Sequence, residues 1–166
     1  MRKKRLTLNN KHNKHKILPK NCDVGSNFLL LHLNIQSLQK KINELDGFLI
    51  DKNVDFICIN EHWLHNDEIS AYTFQNFTLK SFFCRSVTCH GGVAIYCCND
   101  KTEYFNSVNN VCTLSVETHC EIAAIEGPIF VMISVYRPPS GDLKTFYETM
   151  SSCLQILMTK NKYILI

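Results

Sequence analysis

The chain reads as an α/β (α+β) sandwich, and three observations predict it. Two apolar runs, Phe28–Ile35 and Val54–Asn60, flank a helical repeat and so form a β-α-β unit. Short apolar segments bounded by polar or Gly/Pro turns follow between residues 77 and 136, as antiparallel strands do. A second helical repeat and a last apolar run close the chain. That order favours a layered sandwich over a uniformly doubly wound sheet.

The elements follow in turn. Phe28 to Asn34 and Val54 to Asn60 are nearly continuous in Leu, Val, Ile and Phe, so both read as strands covered on two faces. Between them Leu38, Ile42, Leu45 and Leu49 recur at three- and four-residue steps, which predicts a helix over about Leu38 to Asp51 with Ser37 as N-cap. A right-handed crossover puts both strand ends on one side and makes Asn34 and Glu61 neighbours. Strands are predicted at Phe77–Phe83, Val93–Cys98, Val111–Val116, Glu121–Ile125 and Phe130–Tyr136, with a hairpin turn at Gly127-Pro128. Leu143 to Met158 carries Leu143, Phe146, Tyr147, Met150, Leu154 and Leu157 on one helical face, with Ser140 or Asp142 near its start. Lys162 to Ile166 reads as another buried strand.

Length and composition set limits. With 166 residues and 45% apolar content the chain suits one domain with a real core. Its apolar runs are too short to span a bilayer, so no membrane segment is predicted. Charge is uneven: residues 1 to 20 hold eight Lys and Arg and no acid, leaving ten basic against fifteen acidic residues in the rest. Residues 1–26 are expected to form a basic, disordered arm and 27–166 the folded part. Such an arm fits nuclear import or nonspecific contact with nucleic-acid phosphates equally with a solvated tail that has no partner. The nine cysteines, several inside apolar segments, read as reduced core thiols, which favours an intracellular setting. Cys84, Cys89 and His90, or Cys112, His119 and Cys120, lack the paired spacing of a zinc site.

Four places could carry chemistry. Glu61 directly follows a buried-looking strand, where sheet sites gather, and a carboxylate there is either an oxygen ligand for Mg²⁺ or a loop acid. Asn34 ends the neighbouring strand and can donate and accept, toward a phosphate, a metal-bound water or its own turn. His90, Gly91 and Gly92 precede a strand; the glycines permit close approach of a ligand or form a flexible turn. Tyr136 closes an apolar strand and would present its hydroxyl at the sheet end. Arg137 could pair with a phosphate, and two prolines stiffen the exit loop. Trp63 is expected to pack the loop beneath the site.

Together, four segments resemble the endonuclease/exonuclease/phosphatase superfamily, the DNase I-like fold, and within it the apurinic-endonuclease-like domain of non-LTR (LINE-type) retrotransposons. They are Leu33-Asn34-Ile35-Gln36-Ser37-Leu38, Asn60-Glu61-His62-Trp63-Leu64, Gly91-Gly92-Val93-Ala94-Ile95-Tyr96 and Val135-Tyr136-Arg137-Pro138-Pro139-Ser140. The resemblance covers about residues 28 to 166. It implies a two-sheet, four-layer architecture and a Mg²⁺-dependent phosphodiesterase that nicks DNA to prime reverse transcription. On it Glu61 binds the metal, Asn34 positions metal and phosphate, Tyr136 stabilises the phosphate, and Arg137 with His90, Gly91 and Gly92 lies near the DNA. Gln36 and Asn60 depart from the family, standing where basic or hydroxyl residues are frequent. In such domains a strand like Lys162–Ile166 runs into a Gly-Asp-Phe-Asn motif, and a Ser-Asp-His motif follows later. Neither is present in this sequence, so the resemblance predicts the N-terminal portion of a nuclease domain, inactive alone; loss of a general base typically costs about 10²–10⁴-fold. A nucleic-acid-binding remnant and a phosphatase of the same superfamily are the alternatives.

Overall fold

The computed structural model describes residues 27–166, so the basic arm lies outside the described residues. Strand β1 (Leu30–Asn34), helix α1 (Leu38–Leu49) and strand β2 (Phe56–Asn60) form the expected β-α-β unit. Strands β3 (Phe77–Phe83) and β4 (Val93–Cys98) complete one sheet in the order β1-β2-β4-β3, with β1 and β2 parallel and the other pairs antiparallel. Strands β5 (Asn106–Ser107), β6 (Glu121–Glu126), β7 (Phe130–Tyr136) and β8 (Tyr163–Leu165) make the second sheet in sequence order. A short helix, α2 (Asn109–Cys112), precedes β6, and α3 (Leu143–Met158) links β7 to β8.

Strand parity sorts the apolar side chains into three clusters, and these define four layers. Ile57, Ile59, Ala94 and Tyr96 face outward from the first sheet against Leu38, Leu45 and Leu49 of α1. Phe56, Cys58, Val93, Ile95 and Cys97 face inward against Ala123, Ile125, Phe130 and Met132 of the second sheet. The opposite parity of that sheet, Ile122, Ala124, Val131 and Ile133, meets Cys153 and Leu157 of α3. Fully burying a side chain such as Leu157 stabilises the fold by roughly 1.5–3 kcal/mol. Asp142 caps α3, its carboxylate accepting from Thr145 N at 2.7 Å. The Gly127–Phe130 turn joins β6 to β7 as expected.

Several expectations need correction. Val111–Val116 is not a strand: Val111 lies in α2 and Leu114 in the turn just after it, its N–H donating to Val111 O at 3.1 Å, and both pack on the β6/α3 cluster. Strand β1 is not covered on both faces. By register Leu30, His32 and Asn34 share the inner face with Phe56, Cys58 and Asn60, yet they stay exposed because the second sheet packs chiefly over β2, β4 and β3. Lys162–Ile166 is likewise an edge rather than a buried strand; Tyr163 is 68% exposed and Ile166 73%. Ser37 precedes α1 but does not cap it with its side chain. The first helical donors are satisfied from elsewhere, by the loop that carries Glu61.

Candidate active site

Beyond their last paired residues, β1 and β2 remain zipped together. Ile35 N donates to Asn60 O at 2.9 Å, Ser37 N to Glu61 O at 3.0 Å, and Leu38 N to His62 O at 3.0 Å. Those carbonyls take the place of a side-chain cap, since the first N–H groups of a helix have no partner within it. On the other side of the loop Glu61 N donates to Gly92 O at 2.8 Å and Trp63 N to Gly91 O at 3.0 Å. Bonding on both sides forces Gln36, Ser37, Glu61 and Trp63 into positive φ, at 48°, 84°, 57° and 60°. For residues other than glycine that conformation is costly and persists where surrounding structure imposes it. Four such residues meet at one place.

There the Glu61 carboxylate is the centre. Its Oε1 accepts from Asn34 Nδ2 at 2.7 Å and from the Tyr136 hydroxyl at 2.5 Å. The crossover, which aligns Asn34 with Asn60, brings Asn34 across; the packing of β7 under β2 brings Tyr136 from the other sheet. Asn60 and Ser134 tie the sheets together just below, Ser134 Oγ donating to Asn60 Oδ1 at 3.2 Å. Burial pushes the Glu61 carboxyl up, but the bonds from Tyr136 and Asn34, the Trp63 indole N–H and the Arg85 charge more than offset it. Glu61 is thus held ionised. Burial and the adjacent carboxylate push the Tyr136 phenol well above its ordinary value, so it stays a donor.

Trp63 does more than fill space. Its ring stacks on exposed His90, with centroids 4.3 Å apart, and its buried Nε1 faces Glu61 without a hydrogen bond of regular geometry. His62, fully buried, is structural: Nε2 donates to Phe83 O at 3.0 Å while Nδ1 accepts from Leu64 N at 3.0 Å. Desolvation lowers its pKa to about 4. Gly92 must lack a side chain here, since a Cβ would lie 2.3 Å from His62 Nε2 and φ is 88°.

Of the residues singled out in the sequence, Asn34, Glu61 and Tyr136 converge, and Gly91 and Gly92 support them through main-chain carbonyls. His90 forms the rim. Arg137 turns away into its own loop, donating Nη1 to Gly141 O at 2.8 Å. Arg85 and Glu121 were missed. Glu121 is fully buried and accepts Arg85 Nε at 2.6 Å, Gly92 N at 2.6 Å and Thr118 N at 3.3 Å. The only signal in the sequence was an acid at the start of an apolar strand. Glu117 has a separate job, its carboxylate gathering the backbone N–H groups of Ser86, Val87 and Thr88 at 2.8–3.0 Å and lying at a pKa of about 2.

The donor set fits a hard divalent cation. Glu61 Oε2 takes no regular hydrogen bond among the described residues, and Asn34 keeps its amide oxygen free of the bond its Nδ2 makes. No group of three or more His, Cys, Asp or Glu that could hold a metal occurs among the described residues, which includes both cysteine groupings considered for zinc. Glu61 and the Asn34 amide oxygen are the groups here that could hold such a cation, with water and phosphate completing its shell.

Two packed sheets flanked by helices, with polar groups at the strand ends, define the DNase I-like fold, and its structural neighbours are apurinic endonucleases and exonuclease/phosphatase proteins. The AP endonuclease LMAP from Leishmania major superposes with a TM-score of 0.63 at 13% identity, over 87% of this chain and 54% of that one. The catalytic domain of Xenopus laevis APE2 gives 0.57 at 16% identity, over 81% and 55%. The 3′ phosphatase NExo from Neisseria, bound to a product DNA hairpin, gives 0.50 at 14% identity, over 79% and 51%. The chain spans about half the length of these structures. No family model matches it, and a comparison with curated proteins finds no match. No helix among the described residues is long and apolar enough to cross a membrane.

Proposed function

We propose that the chain carries the metal- and phosphate-holding part of a Mg²⁺-dependent DNA phosphodiesterase, of the kind that nicks a target site for a non-LTR retrotransposon. One observation carries this reading: Asn34 and Tyr136, from different sheets, converge on a single oxygen of an ionised Glu61, while the other oxygen takes no regular hydrogen bond among the described residues. Bound there, Mg²⁺ would neutralise phosphate charge and polarise the bond to be cut. Glu61 and the Asn34 amide oxygen would hold it. The Tyr136 hydroxyl, kept protonated, would turn its single proton from Glu61 to a phosphate oxygen as charge develops there. His90 would meet the DNA from the rim, Arg137 would reach it only by leaving Gly141 O, to which it is bonded here, and residues 1–20 would add salt-sensitive contact with its phosphates. A nuclear setting accords with that substrate.

On this reading the chain alone binds metal and phosphate without turnover, because the Gly-Asp-Phe-Asn and Ser-Asp-His motifs that the resemblance makes catalytic do not occur in this sequence. Incubation with supercoiled plasmid and Mg²⁺ should give no nicked circle above background. Robust nicking that disappears in Glu61→Ala would establish the nuclease but refute the inactivity. The neighbouring 3′ phosphatase gives the superfamily alternative some support; release of phosphate from a 3′-phosphorylated oligonucleotide would select it.

A further inference from the structure

We infer that Arg85 and Glu121 form a positioning pair for the Glu61 centre, fixing the backbone that presents its carboxylate; the inference rests on Glu61 being the functional acid proposed above. The pair is 9% and 0% exposed. Taking both charges out of water is expensive, and well-packed apolar residues in their place are often as stable or more so. Global stability therefore gives no reason for a charged pair here.

Its contacts supply another reason. Glu121, at the start of β6, holds the Gly92 amide at 2.6 Å and so ties the second sheet to the turn that enters β4. The Arg85 guanidinium fills the place where a Gly91 Cβ would stand, 2.0 Å from Arg85 Nε. Arg85 Nη1 reaches Thr88 Oγ1 at 3.1 Å, which fixes the plane of the group. Gly91 and Gly92, gripped from behind, turn their carbonyls forward to the amides of Trp63 and Glu61. These are two of the residues held at positive φ, so their conformation must be imposed from outside. Arg85 Nη2 is buried with no hydrogen-bond partner among the described residues. A cation here also favours the ionised form of Glu61.

The test uses the full chain with Arg85→Lys and with the double change Arg85→Met/Glu121→Leu, which removes both charges and leaves neither buried alone. Amide hydrogen exchange reads the positioning directly. Exchange at Glu61 and Trp63 should quicken at least about tenfold in the double variant, while Ile57 and Ile95 in the core strands keep their protection. Arg85→Lys, which keeps the charge but loses the planar fork, should show the same change in smaller degree. Terbium(III), sensitised by Trp63, the chain's only tryptophan, reports cation binding; it should bind the native chain, fail with Glu61→Gln, and bind about tenfold more weakly to the double variant. Unchanged exchange at Glu61 and Trp63, or a uniform loss of protection across the core, overturns the inference. If the double variant does not fold, Arg85→Lys decides by the same exchange criterion. Should the native chain bind no terbium, the metal reading of Glu61 fails while exchange still decides the positioning.

Discussion

Glu61 and Glu121 face the Gly91-Gly92 turn from opposite sides, and they are opposite in every physical respect. Glu121 is fully buried, with both oxygens engaged by Arg85, Gly92 and Thr118. Glu61 is partly exposed, one oxygen doubly bonded and the other without a regular hydrogen bond among the described residues. A carboxylate with both oxygens occupied can only hold structure together. One with an open oxygen can take a ligand, and its donors keep it charged while it waits. The difference lies in the partners that the fold delivers, since the residue type is the same.

Substitutions can sharpen or break that contrast, and the largest effect belongs to the buried acid. Glu121→Gln should lower unfolding free energy by about 3–5 kcal/mol, because Arg85 is left as a buried charge without its counter-ion; chemical denaturation measures it, and a loss under about 1 kcal/mol would show the pair is dispensable. Next comes acid. His62 has a folded pKa of about 4, below its unfolded value near 6.5, so the unfolded state binds more protons between those values. Its contribution is complete above about pH 6.5 and falls by roughly 3 kcal/mol as pH drops toward 4. Denaturation midpoints should decline across that window and should flatten in a folded His62→Gln variant. Glu117, depressed to about 2, withdraws its support lower, between its ordinary value of 4.5 and 2.

Between the two acids, Gly92→Ala should cost about 1–3 kcal/mol, since an alanine there combines positive φ with a Cβ against the His62 ring. Trp63 emission should shift with it, as the loop that carries both residues moves. Smallest in stability is Glu61→Gln, expected within about 1 kcal/mol of the native chain because relief from desolvation offsets weakened bonds. Its cation binding should nonetheless disappear. A Glu61→Gln chain that unfolds as readily as Glu121→Gln would erase the distinction between them.

Much of this was legible beforehand. The period of Leu38, Ile42, Leu45 and Leu49 and the apolar run before Asn60 determined α1 and β2, because burial of a face demands that spacing whatever lies around it. The strands Phe77–Phe83, Val93–Cys98 and Phe130–Tyr136 followed for the same reason; helix Leu143–Met158 also forms, but its buried side is Thr149, Cys153 and Leu157, while Leu143 and Tyr147 of the expected face are exposed. Asn34, Glu61 and Tyr136 stood out because each ends an apolar strand. Composition misread Val111–Val116, where Val111 lies in a short helix and Leu114 packs from the turn after it, and it overstated the covering of β1 and β8, since edge position depends on sheet order.

The sequence by itself determined the strand ends and the polar residues placed on them, because periodicity is local and each strand carries its own. Only the tertiary structure decided that Tyr136 and Asn34 share one Glu61 oxygen, that Trp63 and His90 form its rim, and that Arg85 and Glu121 stand behind it. These contacts join residues from both sheets. Their energies depend on distance and burial, which exist only once the two sheets have packed together.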